Sequence, residues 1–124
     1  YKSIGLLFDQ RTLAATEGLW CNMLHLHGRD VYFSLLRLFD FQIINWHDRE
    51  THQSLAEAQS LFKGVVCGGL RQETLHSGNP AQVKDEARNA FEQTKNRRFI
   101  LGTGCVVYYQ SPHENIMAAK VSVE

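Results

Sequence analysis

Two histidines separated by a single leucine, in the stretch "LHLHGRD" from Leu24 to Asp30, are the first residues whose spacing could do chemistry. Side chains at i and i+2 of a β-strand point to one face, so His25 and His27 would stand side by side with Leu26 turned away. Two neutral imidazoles and one thiolate from a distant strand end suit zinc, and Cys105 in "LGTGC" supplies the thiolate. Three protein ligands leave a fourth position for water or a thiol, which is the pattern of a catalytic zinc rather than a structural one. Such a zinc would keep Cys105 deprotonated and ionise a bound substrate thiol into a nucleophile. Against this, a strand histidine is more often a hydrogen-bonded core residue, and a cysteine is often a small apolar filler.

Other candidates lie at other predicted strand ends. His47 and Asp48 follow Trp46 in "INWHDRE" and read as a catalytic base with its orienter, or as an imidazole and a carboxylate that bind polar groups of a substrate. The alternative is a loop anchor in which Asp48, Arg49 and Glu50 make local hydrogen bonds and ion pairs. Arg71, after the glycine pair of "VVCGGLR", could hold a carboxylate or phosphate, and Thr103 in "GTG" is a second candidate substrate contact. That glycine pair is neither a Walker loop nor a dinucleotide fingerprint. Cys67 and Cys21 read as packing residues, and His52, His76 and His113 as solvent-exposed.

The elements that must position these side chains follow from apolar spacing and capping residues. A helix is expected from about Leu6 to Gly18, and a strand from Leu19 to His27 that Gly28 ends. Asp30 is a suitable N-cap for a helix over "VYFSLLRLF", and Phe41 to Trp46 is a short buried strand. Ser54 and Glu57 have capping-box spacing ahead of "LAEAQSLF", and Gly64 to Gly69 is a third strand. "LRQETLHSG" reads as a turn or short helix. Asn79 and Pro80 open a helix whose apolar stripe is Val83, Ala87, Ala90 and Phe91. Arg97 to Cys105 is a fourth strand, and Ser111, Pro112 and Glu114 repeat the start signals of a helix. Near-continuous apolar strands alternating with helices through short connections predict an α/β fold with a parallel sheet, covered on both sides or wrapped into a barrel. In such folds ligands gather at the carboxyl ends of the strands, where the candidates converge.

Of the 124 residues, 44% are hydrophobic and 21% charged, as in ordinary globular domains, and one domain is expected. Thirteen Lys plus Arg balance thirteen Asp plus Glu without a basic stripe, so neither nucleic acid nor a membrane surface is an expected partner. Three widely spaced cysteines make a poor disulfide framework and suit reduced thiols, with the cytoplasm as the expected compartment. The chain opens without Met directly into helical spacing, as if it were a piece of something longer.

Lined up in order, "MLHLHG", "INWHDRET", "VVCGGL" and "FILGTGCVVYYQSPHENI" resemble the uroporphyrinogen decarboxylase superfamily, which includes cobamide-dependent thiol methyltransferases. The resemblance runs along essentially the whole chain, and its last segment is the most specific. It implies roughly the C-terminal half of a (β/α)8 barrel. It also implies a small-molecule substrate, a thiol or a tetrapyrrole, and possible service by a corrinoid protein carrying the methyl group on cobamide. In the methyltransferase branch zinc is held by H-x-C and a later cysteine in a glycine turn. His25 matches that histidine, Cys105 the later cysteine, and His27 replaces the middle cysteine. In the decarboxylase branch the arginine and aspartate that grip the substrate lie outside this chain, and Thr103 stands where a histidine occupies the late glycine turn. Half a barrel would leave two open sheet edges and uncovered apolar surface, so pairing with another copy, or no catalysis by this piece alone, is also expected.

Overall fold

The computed structural model describes residues 1–124. Four strands form one parallel sheet in the order β1 (Met23–Leu26), β2 (Ile43–Trp46), β3 (Val65–Leu70) and β4 (Phe99–Thr103). Between and around them run α1 (Gly5–Ala14), a 3₁₀ helix (Phe33–Leu38), α2 (Leu55–Leu61), α3 (Gln72–Ser77), α4 (Pro80–Thr94) and α5 (His113–Val121).

Two of the helices, α4 and α2, start on complete side-chain caps. Asn79 accepts from the N–H groups of Ala81 and Gln82 while Gln82 reaches back to the Asn79 N–H, and Pro80 occupies the first turn of α4. Its buried stripe is Val83, Ala87, Ala90 and Thr94; Phe91 is half-buried, and Thr94 is accommodated because its hydroxyl donates to the Ala90 carbonyl. Ser54 and Glu57 cap α2 reciprocally.

Two expected helix starts differ. Asp30 caps nothing: the segment after it is a 3₁₀ helix entered through Tyr32 without a side-chain cap. Its buried residues include Phe33 and Leu36, three positions apart, a spacing that the tighter three-residue turn satisfies directly. Ser111 is not the cap of α5 either. Pro112 holds that position, its carbonyl accepting from Asn115 and Ile116, and the buried Ser111 hydroxyl has no partner. The first and last strands are shorter than their apolar runs; Leu19 and Trp20 lie outside the sheet and exposed, because no partner strand reaches them.

One face of the sheet carries the core. Leu24, Leu26, Ile44, Trp46, Val66, Phe99 and Leu101 pack with Phe33, Leu36, Phe41, Leu55, Ala58 and Ala90, and a second cluster joins Leu70, Leu75, Val83, Ala87 and Ala118. The opposite face presents His25, Asn45, Cys67 and Ile100 as one row, each paired in register with the next. A strand order that never reverses, with the core on one face, is an arc of a (β/α)8 barrel rather than a doubly wound sheet. The arc is not closed, since β1 and β4 each pair on one side only. No helix is long and apolar enough to cross a membrane.

Candidate metal centre

The row on the open face leads to the candidate site at the carboxyl ends of the strands. His25 is on β1, His27 immediately follows it, His47 is the first residue after β2, and Cys105 lies two residues past β4. One ligand atom from each of these four residues lies within 4.8 Å of the others. The Cys105 Sγ is 3.9 Å from His27 Nδ1, and the imidazole centroids stand 5.9 Å (His25 to His27), 6.2 Å (His25 to His47) and 5.2 Å (His27 to His47) apart.

Asn45 sets the chemistry of His25. Its Nδ2 donates to the carbonyls of Cys67 and Thr103, both at 3.0 Å, so its Oδ1 is the atom that faces His25 Nδ1 at 2.6 Å. A carbonyl oxygen only accepts, so His25 donates from Nδ1 and its Nε2 keeps a free lone pair, as in a metal-ligating histidine held by an outer partner. The same amide ties β1, β2, β3 and β4 together.

Cys105 reaches the histidines because the turn before it is thin. A Cβ on Gly104 would sit 2.8 Å from His47 Cα and 2.9 Å from the Trp46 carbonyl, so only glycine lets the β4 turn lie against the end of β2. The Thr103 hydroxyl donates to the Cys105 carbonyl at 2.7 Å and holds the same turn. Thr103 thus spends its donor on the cysteine's backbone.

His47 has a different surrounding. Its side chain is 14% exposed, its Nδ1 is 4.0 Å from Glu50 Oε2, and its buried Nε2 has no hydrogen-bond partner. Buried polar nitrogens are rarely left unpaired, and an absent ion is one physical account of such an atom. Three nitrogens and one sulfur match the donor preference of zinc, whose tetrahedral donors stand roughly 3.3–3.7 Å apart, against a separation of at most 4.8 Å among these atoms. The residues fit a metal ion of that class.

Asp48 points elsewhere. Both carboxylate oxygens accept from the Gly69 N–H at 3.1 Å, and Arg49 Nε is 3.7 Å away. It makes no hydrogen bond to His47, so the two are neighbours in sequence without forming a base and its orienter. The buried carboxyl is pushed up to about 6, with burial outweighing the Gly69 hydrogen bond and the Arg49 charge. Arg49 donates to the Gly69 and Glu86 carbonyls and to Asn89 Oδ1, which staples the end of β3 to α4. The anchor is tertiary rather than local. Cys67 is buried, and its thiol is raised by burial and by the Asp48 charge. Arg71 is exposed and donates from Nη2 to the Arg49 carbonyl.

Sequence spacing brings out His25, His27 and Cys105 but assigns His47 to another task and passes over Asn45. A signal for both was present: Asn45 and His47 are i and i+2 at the end of the neighbouring strand, which places them on the histidine face. Beside the cluster, a cleft of about 350 Å³ bordered by Leu24, Val31, Tyr32, Leu35 and Phe39 opens against His25 and His27.

The family model for uroporphyrinogen decarboxylase (URO-D) matches residues 12–123, which is nearly the whole chain. The chain belongs to the uroporphyrinogen decarboxylase family. Comparisons with curated proteins and with solved structures return no match. Membership in this family accords with the barrel arc, and the His/Cys cluster occupies the strand-end mouth at which barrels of this kind bind ligands.

Proposed function

We propose that this URO-D family chain carries a zinc site, with His25, His27 and Cys105 as ligands, that serves to activate a thiol for methyl (alkyl) transfer. The observation that carries the reading is the convergence of these donors from β1 and the β4 turn, with the His25 tautomer set by Asn45 so that Nε2 is free. Zinc held there would supply Lewis acidity that lowers the pKa of a thiol sharing the site.

The chain's own residues do the rest. Asn45 orients His25, and Thr103 and Gly104 hold Cys105 in reach. The cleft against His25 and His27, lined mostly by apolar side chains, offers a surface for the alkyl part of a substrate. Arg71 has guanidinium N–H groups that make no bond within the chain and would take a substrate carboxylate. The methyl group would come from cobamide on a corrinoid partner protein, in the cytoplasm.

Metal analysis and thiol alkylation test this together. The full chain should bind zinc, lose it in the His25→Ala plus Cys105→Ala double variant, and transfer methyl from a methylcobamide to a thiol only when metal is present. Metal-replete protein without zinc, or unchanged zinc content in the double variant, would remove the reading. Decarboxylation of a porphyrinogen that survives chelation would replace it with the activity in the family's description, with Arg71 and His47 as anion contacts.

A further inference from the structure

Away from the histidine cluster, three buried polar atoms without a hydrogen-bond partner fall along one seam, between α3 and the start of α5: His76 Nδ1, Ser111 Oγ and Asn115 Oδ1. The contacts around them close a ring. Asn115 Nδ2 donates to the carbonyls of Leu75 at 3.0 Å and Gly78 at 2.9 Å, which flank His76 in the chain. The His76 ring meets the Tyr108 ring edge-on with centroids 5.2 Å apart, the Ser111 N–H donates to the Tyr108 carbonyl at 3.0 Å, and the Asn115 N–H donates to the Pro112 carbonyl at 3.0 Å. Asn115 is fully buried and Ser111 is 9% exposed, so the ring is closed to bulk solvent at both residues.

Buried polar atoms are rarely left unpaired, and these three do not bond one another, so a bridging molecule is what satisfies them together. We propose that the seam is a binding site for one ordered water shared by Asn115 Oδ1, Ser111 Oγ and His76 Nδ1. The count of donors and acceptors fits. Asn115 commits its amide N–H groups to two carbonyls, so Oδ1 can only accept, and flipping the amide would set an oxygen against both carbonyls. A water gives one proton to Asn115 Oδ1, gives the other to the lone pair of His76 Nδ1 and accepts from the Ser111 hydroxyl. That makes three bonds, the usual number for a buried water. The set contains neither a carboxylate nor a thiolate, so a neutral ligand suits it better than a cation. The water pins the far end of the segment from Gly104 to Pro112 against α3, while the close approach of Gly104 to His47 fixes its near end. None of the three residues belongs to the histidine and cysteine cluster, so this site stands independently of the metal reading.

A high-resolution crystal structure of the full chain reads the site directly and should show one water within hydrogen-bond distance of all three atoms. In solution, oxygen-17 relaxation dispersion counts the long-lived waters. His76→Phe keeps a ring against Tyr108 without the nitrogen, and Ser111→Ala removes the hydroxyl. The double variant, checked for folding by far-UV circular dichroism, should lose one long-lived water relative to the parent, because a water left with Asn115 alone exchanges freely. Direct bonds among the three side chains in the crystal, separate waters on each, or a cation at their centre would overturn the proposal. So would an unchanged count of long-lived waters in a folded double variant. The parent crystal decides the matter even where the double variant folds poorly.

Discussion

Asp48 is the residue where burial and charge pull hardest against each other. Its carboxyl is pushed up to about 6 from an ordinary value of 3.8, chiefly by burial, so the folded state holds its proton more tightly than the unfolded chain does. The resulting contribution to stability is fully present below about 4 and is lost as pH rises through about 6. Over that window the ionised carboxylate costs about 3 kcal/mol relative to the neutral acid. Asn in this position keeps an oxygen for the Gly69 N–H but has no charge to bury. We therefore expect that, in chelator, the unfolding free energy of Asp48→Asn gains on the parent by up to about 3 kcal/mol between pH 4 and pH 7. Two parallel stability curves in urea titrations across that range would contradict it.

At the scale of elements, the turn after β4 decides whether four donors meet. Gly104 packs its Cα against the backbone of Trp46 and His47, and a single methyl there has no space. Gly104→Ala should move the Cys105 turn off the end of β2 and lower zinc affinity by at least about tenfold, the range seen when the support of a ligand is lost. The core on the other face should be untouched, so far-UV circular dichroism should match the parent; undiminished zinc affinity would show that the turn does not set the site. The helix ends illustrate how far local sequence reaches. Asn79 with Gln82, and Ser54 with Glu57, carry complete start signals within four residues and form as those signals dictate. Asp30 and Ser111 carry comparable signals and do not cap, because the packing of Phe33 and Leu36 and the Pro112 carbonyl settle those starts instead.

For the whole molecule, the open arc has a consequence for association. β1 and β4 each leave one edge unpaired, and Trp20 and Tyr109 are 94% and 98% exposed, with Leu7, Phe8 and Met23 also on the surface. Unpaired edges with uncovered apolar side chains favour pairing between copies. Sedimentation at micromolar concentration should show a dimer or larger species that dissociates on dilution; a monomer at every concentration would contradict it. The sequence by itself determined the α/β class, the parallel order of the strands and three donors of the cluster, since apolar runs, capping residues and the i, i+2 alternation of a strand are all local. It did not determine that His47 turns to those donors while Asp48 turns to Gly69, nor that Asn45 selects the His25 tautomer. Those depend on the register of β1 against β2 and on the approach of the β4 turn, distances between residues 20 to 80 positions apart that only the packed sheet brings within hydrogen-bond reach.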